Sequence, residues 1–110
     1  MKKNQQAVVQ RAVNKFRRKL EVIYGKKLAG VVLFGSYARG SESAESDVDL
    51  AVVLKGKVNP GKEIDRLLDL LVDLNLEHQV LLSVYPISER DFQKRYNPLL
   101  NNIRNEGLAL

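Results

Sequence analysis

The chain has 110 residues, of which 45% are hydrophobic and 28% charged, with a formal net charge of +5. That balance suits one small globular domain spanning residues 1–110 and excludes a disordered chain. There is no cysteine, which removes disulfide frameworks and thiolate metal sites, and no apolar run approaches the roughly 18 residues of a spanning helix. Met1-Lys2-Lys3 leads into Asn4-Gln5-Gln6 without the apolar stretch of a signal peptide, so a cytoplasmic location with no membrane partner is expected.

From about Asn4 to Tyr24, Val9, Ala12, Val13, Phe16, Leu20 and Ile23 recur at helical spacing, and Gly25 supplies a stop. This helix is basic. Nine cations against one acid (Glu21) give the first 27 residues +8, leaving −3 for the remainder. Such a face suits an acidic protein or nucleic acid, or is simply solvated. Leu28 to Phe34 reads as a buried strand, broken by Gly35, with Ser36 to Arg39 as a short helical turn before Gly40. A polar loop from Ser41 to Ser46 precedes a second strand, Asp47 to Leu54, polar at its start and apolar after.

Lys55 to Gly61 carries Gly56, Asn59, Pro60 and Gly61 and predicts a loop. The next helix, about Lys62 to Leu76, sets Ile64, Leu67, Leu68, Leu71 and Leu74 on one face. Asp65, Asp69 and Asp73 form a solvated row on another. A third strand is expected from Gln79 to Tyr85, ended by Pro86, and Ser88 begins a further helix as its N-cap. A last helix from Pro98 to Glu106 is capped by Gly107, with Leu108, Ala109 and Leu110 free to dock apolar side chains. The pattern predicts an α/β (α+β) fold, a small mixed sheet with helices packed on it.

The chemistry concentrates at two places. Glycine at a strand end lets a ligand approach the backbone, and a helix start offers free N–H groups to phosphate. Ser36 adds a hydroxyl there, and Arg39, one turn on, can reach a phosphate oxygen. The spacing of a Walker loop is absent. Asp47 and Asp49, two apart on a strand, share a face and repel each other unless a cation lies between them. Mg²⁺ suits such a pair, because it takes carboxylate oxygens together with substrate phosphate oxygens. If the two strands are neighbours, triphosphate and metal meet in one cleft.

Gly35-Ser36-Tyr37-Ala38-Arg39-Gly40 followed by Ser46-Asp47-Val48-Asp49-Leu50 resembles the G-S-x-A-R-G…S-D-[IV]-D-L signature of the minimal nucleotidyltransferases, in the DNA polymerase β superfamily. The resemblance implies a nucleotidyltransferase fold. It also implies that Gly35 and Ser36 bind triphosphate, with Arg39 supporting, and that Asp47 and Asp49 hold Mg²⁺ for transfer from a nucleoside triphosphate such as ATP. Small proteins of this family resemble antitoxins paired with a helical HEPN-type partner, which makes a protein acceptor in a toxin–antitoxin-like pair the expected substrate.

The sequence departs from that pattern in one respect. Active members draw a third carboxylate from a later strand, and Gln79 to Tyr85 contains no acid; Ser83 stands in roughly its place. Glu77 is the nearest substitute, and His78 is read as a helix-to-strand junction residue. Tyr37 either stacks on a base or packs beneath the turn. Two functions remain beside each other: an enzyme, or a binding module of the same fold that neutralises its partner by contact. Nucleic-acid binding through the first helix is a lesser reading, and a homo-oligomer is left open.

Overall fold

The computed structural model describes residues 2–40 and 47–110. The loop expected from Ser41 to Ser46 lies outside the described residues, as do the side chains of residues 2–5 and of Arg39. The first helix, α1 (Lys2–Tyr24), buries Val9, Ala12, Val13, Phe16, Leu20 and Tyr24 at the spacing of one helical face. A 3₁₀ turn over Gly25–Lys27 delivers the chain into β1 (Leu28–Phe34). Then come α2 (Ser36–Arg39), β2 (Val48–Leu54), α3 (Pro60–His78), β3 (Leu82–Ser88), α4 (Glu89–Lys94), α5 (Pro98–Glu106) and β4 (Leu108–Ala109). No helix among the described residues is long and apolar enough to cross a membrane.

The four strands form one sheet in the order β3-β2-β1-β4. β2 runs antiparallel to β1 and parallel to β3, and β4 pairs antiparallel with the other side of β1. Because strand side chains alternate, β2 feeds both faces. Val48, Leu50, Val52 and Leu54 enter the larger core with α1 and α3, whereas Ala51 joins Phe34, Leu100 and Ile103 beneath α5. This is the expected mixed α+β architecture, with helices on both faces of a small mixed sheet.

Two polar contacts tie α1 to α3. The Tyr24 hydroxyl donates to Glu63 at 2.7 Å, and Lys15 reaches both carboxylate oxygens of Glu77 at 2.9 Å. As one partner advances along α1 the other retreats along α3, so the helices run antiparallel. Burial first, and then the Glu63 hydrogen bond and charge, push the Tyr24 hydroxyl well above the ordinary tyrosine range. It therefore remains a donor at neutral pH.

Both boundaries of α3 and both of β3 differ from the sequence expectation. α3 starts at Pro60 because the Asn59 side chain accepts from the Lys62 N–H at 3.3 Å and proline sits at the first helical position. The helix then runs on to His78, and Gln79 caps it in the left-handed region at φ 53°. As a result β3 begins three residues later than expected and passes through Pro86 instead of stopping before it. The sheet edge explains this. The Leu81 carbonyl accepts from the Val48 N–H at 2.8 Å, so by alternation Ser83 and Tyr85 also turn their backbone groups towards β2. Leu82, Val84 and Pro86 turn theirs to the open edge, where the Leu82 N–H is taken by the Asn75 side chain at 3.0 Å. Pro86 has no N–H to lose there.

At the other edge, Leu108 and Ala109 do more than dock side chains: they pair with Leu33 and Val32 as β4. Gly107 makes this entry, since a Cβ there would strike the Val32 side chain and the Ile103 carbonyl.

Phe16 is fully buried at the centre of the larger core. Phe16→Ala is expected to lower unfolding free energy by about 3–5 kcal/mol, measured by urea denaturation.

Candidate functional site

β1 ends at Phe34, which lies opposite Asp49 in the antiparallel register. The next residue, Gly35, takes φ 75° and ψ −154°, a conformation that L side chains rarely adopt. A Cβ on Gly35 would also lie 3.2 Å from Cγ of Asp49 and overlap its Oδ2. Glycine is required here on both counts. Ser36 opens α2, which closes at Gly40 in the left-handed region at φ 72°, with the Gly40 N–H donating to the Ser36 carbonyl. Arg39 is the last residue of α2 and its side chain lies outside the described residues. Tyr37 packs against the larger core, the second of its two expected roles.

Asp47 stands exposed just before β2, and Asp49 is half-buried within it, on the same face as Phe34 and Ala51. The glycine turn and the aspartate pair are thus neighbours across β1 and β2, as the cleft requires. On the other side of β2, Ser83 stands opposite Asp49, and its hydroxyl donates to Asp47 Oδ2 at 3.4 Å, a long hydrogen bond.

Tyr85, two residues further along β3, was without a role in the sequence. Its hydroxyl is close enough to Asp49 to feel the carboxylate's charge and, more weakly, a hydrogen bond to it, and its ring packs on Phe34 with centroids 5.2 Å apart and planes at 59°. Partial burial and then the charges of Asp49 and Asp47 hold this hydroxyl above the ordinary tyrosine range. It is therefore a donor to the carboxylate at neutral pH. The sequence signal, in hindsight, was the hydroxyl-bearing pair at positions 83 and 85, whose spacing puts both on the aspartate face of the strand.

Glu77 does not supply the missing acid. Lys15 holds it towards α1, and that hydrogen bond is the main cause of its carboxyl lying below the usual range. His78 ends α3, and its Nε2 is buried with no hydrogen-bond partner among the described residues. Among the described residues no group of three or more His, Cys, Asp or Glu side chains could hold a metal. The donors present still fit one hard cation, because Mg²⁺ is commonly held by one or two carboxylates and completed by phosphate oxygens and water. Beside Tyr85 a groove of about 500 Å³ follows β3, lined by Pro86, Ile87, Asp91, Arg95 and Leu100 among others.

A sequence profile of the nucleotidyltransferase domain matches residues 13–106, from within α1 to the end of α5. The chain belongs to the nucleotidyltransferase domain family. Three proteins of Methanocaldococcus jannaschii are similar to it, each carrying the name "Putative protein adenylyltransferase". One is 33% identical over 102 residues, covering 92% of this chain and 96% of the relative. A second is 35% identical over 95 residues, covering 83% of this chain and 63% of the relative. The third is 34% identical over 71 residues, 64% of this chain and 71% of the relative. Nucleotidyl transfer is the general activity of this domain, and the Gly35 turn with its aspartates lies inside the matched span.

Gly35→Ala places a methyl group against the Asp49 carboxylate in an unfavourable backbone conformation. The variant is expected to melt several degrees lower, consistent with a loss of about 1–3 kcal/mol, and to lose nucleotide binding. Thermal denaturation alongside equilibrium binding of a fluorescent ATP analogue would check both.

Proposed function

We propose that this nucleotidyltransferase domain transfers an adenylyl group from ATP to a protein acceptor, with Mg²⁺ held by Asp47 and Asp49. The observation that carries the reading is the contact between the Gly35 turn and the Asp49 carboxylate, which sets a side-chain-free backbone against an anionic ligand pair. The names of the relatives support the adenylyl group and the protein acceptor. Mg²⁺ supplies charge neutralisation between the carboxylates and the triphosphate.

The chain's own residues divide the remaining work. Gly35 admits the phosphates to the backbone, Ser36 offers a hydroxyl to them, and Arg39 on α2 adds a cation for a phosphate oxygen. An acceptor hydroxyl oxygen forms the new bond to the α-phosphorus, the bond to the bridging oxygen breaks, and pyrophosphate leaves with that electron pair. The acceptor proton passes to solvent, since among the described residues no further carboxylate joins the pair. The acceptor is a helical HEPN-type protein encoded as a toxin-like partner, which presents its hydroxyl to the cleft from its own surface.

Incubation with α-labelled ATP, Mg²⁺ and the natural partner is expected to label the partner. Asp47→Asn is expected to reduce transfer by about a hundredfold or more, as removal of several kcal/mol of charge stabilisation would.

One observation favours a second reading, a module that neutralises the partner by contact: Ser83 occupies the register position opposite Asp49, where the third acid was expected. Under that reading Asp49→Asn leaves both the complex and protection of the host intact. An intact complex with protection abolished decides for the enzyme; growth assays with co-purification separate the two.

A further inference from the structure

The aspartate pair has hydrogen-bond donors where a third acid was expected, and they come from one strand. Ser83 and Tyr85 alternate onto the aspartate face of β3, with Ser83 opposite Asp49 and Tyr85 opposite Ala51. The serine hydroxyl donates to Asp47 at 3.4 Å, and the tyrosine hydroxyl is close enough to Asp49 to feel its charge and to serve as a donor to it. Neither aspartate is left to orient itself.

The Tyr85 side chain is placed by packing as well as by its hydroxyl. Its ring is fixed against Phe34, and Phe34 precedes the glycine whose backbone lies against the same Asp49 carboxylate. Asp49 is therefore flanked on two sides, by the Gly35 backbone just beyond β1 and by the Tyr85 side chain on β3. A carboxylate has about four lone-pair sites, so one hydroxyl donor leaves the others free for a cation. Hydrogen bonds of this kind to ligating carboxylates raise metal affinity by fixing orientation, typically by ten- to a hundredfold. A hydroxyl is also neutral, so it adds no third negative charge to draw in a second cation.

Resting on the adenylyl-transfer reading, we infer that Tyr85, assisted by Ser83, is a positioning residue that orients Asp47 and Asp49 in place of a third carboxylate, and that the site takes one divalent cation per chain. The pair then serves to dock a metal-bound triphosphate in one orientation.

The test counts bound Mn²⁺ by electron paramagnetic resonance, with a non-hydrolysable ATP analogue present and melting temperatures measured in parallel. The wild-type chain is expected to bind one Mn²⁺. Tyr85→Phe keeps the ring on Phe34 and removes only the hydroxyl, and is expected to weaken Mn²⁺ binding about tenfold at an unchanged melting temperature. Ser83→Asp restores a carboxylate opposite Asp49 and is expected to raise the count to two.

Two Mn²⁺ ions on the wild-type chain would overturn the inference, as would an unchanged affinity in Tyr85→Phe or a count that stays at one in Ser83→Asp. In each of these cases nucleotide and metal binding by the wild-type chain would still stand. If the wild-type chain binds neither Mn²⁺ nor the analogue, the adenylyl-transfer reading falls and this inference falls with it.

Discussion

The Asp49 carboxylate occupies the space that a side chain on Gly35 would need, and much of the site's arrangement follows from that packing. It requires β1 and β2 to pair with Phe34 opposite Asp49, since a slip of one residue would turn Asp49 to the other face. It requires a positive φ at Gly35, which bends the chain off the sheet and into α2. Through the ring of Tyr85 on Phe34 it reaches β3 as well. Three strands are thus registered against one another at the place where the signature residues collect.

The sheet separates stability from chemistry by the alternation of β2. Its even-numbered residues, Val48 to Leu54, fill the larger core with α1 and α3, and all of them are buried. Its odd-numbered residues begin with Asp49 and continue through Ala51 into the smaller cluster under α5. The ties between α1 and α3, Tyr24 with Glu63 and Lys15 with Glu77, belong to the first face. The basic first helix is thereby explained in part as a structural element, with one of its lysines committed to holding a glutamate away from the site.

Much of this was legible in the sequence, because the signals were local. β1 was read from Leu28 to Phe34 and α5 from Pro98 to Glu106, and both carry the expected residues. The adjacency of Gly35 and Asp49 was conditional on strand pairing, and the pairing meets the condition. What the sequence hid was non-local. Pro86 read as a terminator because proline removes a ladder donor, yet on an edge strand the lost donor points outward. Tyr85 carried no motif because its role depends on Phe34 and Asp49, each on a different strand. Glu77 was a plausible third acid by sequence position, and only the packing of α3 on α1 directs it to Lys15.

The treatment of the β3 edge has a consequence for assembly. Asn75 occupies one outward backbone donor, and Pro86 lacks another. An incoming strand would find a broken ladder there, so the sheet is terminated on that side as firmly as if a further element covered it. Growth by strand addition, whether into a continuous sheet with another protein or into a fibril, is disfavoured at this edge. A macromolecule that approaches along this edge therefore meets the domain mainly through side chains.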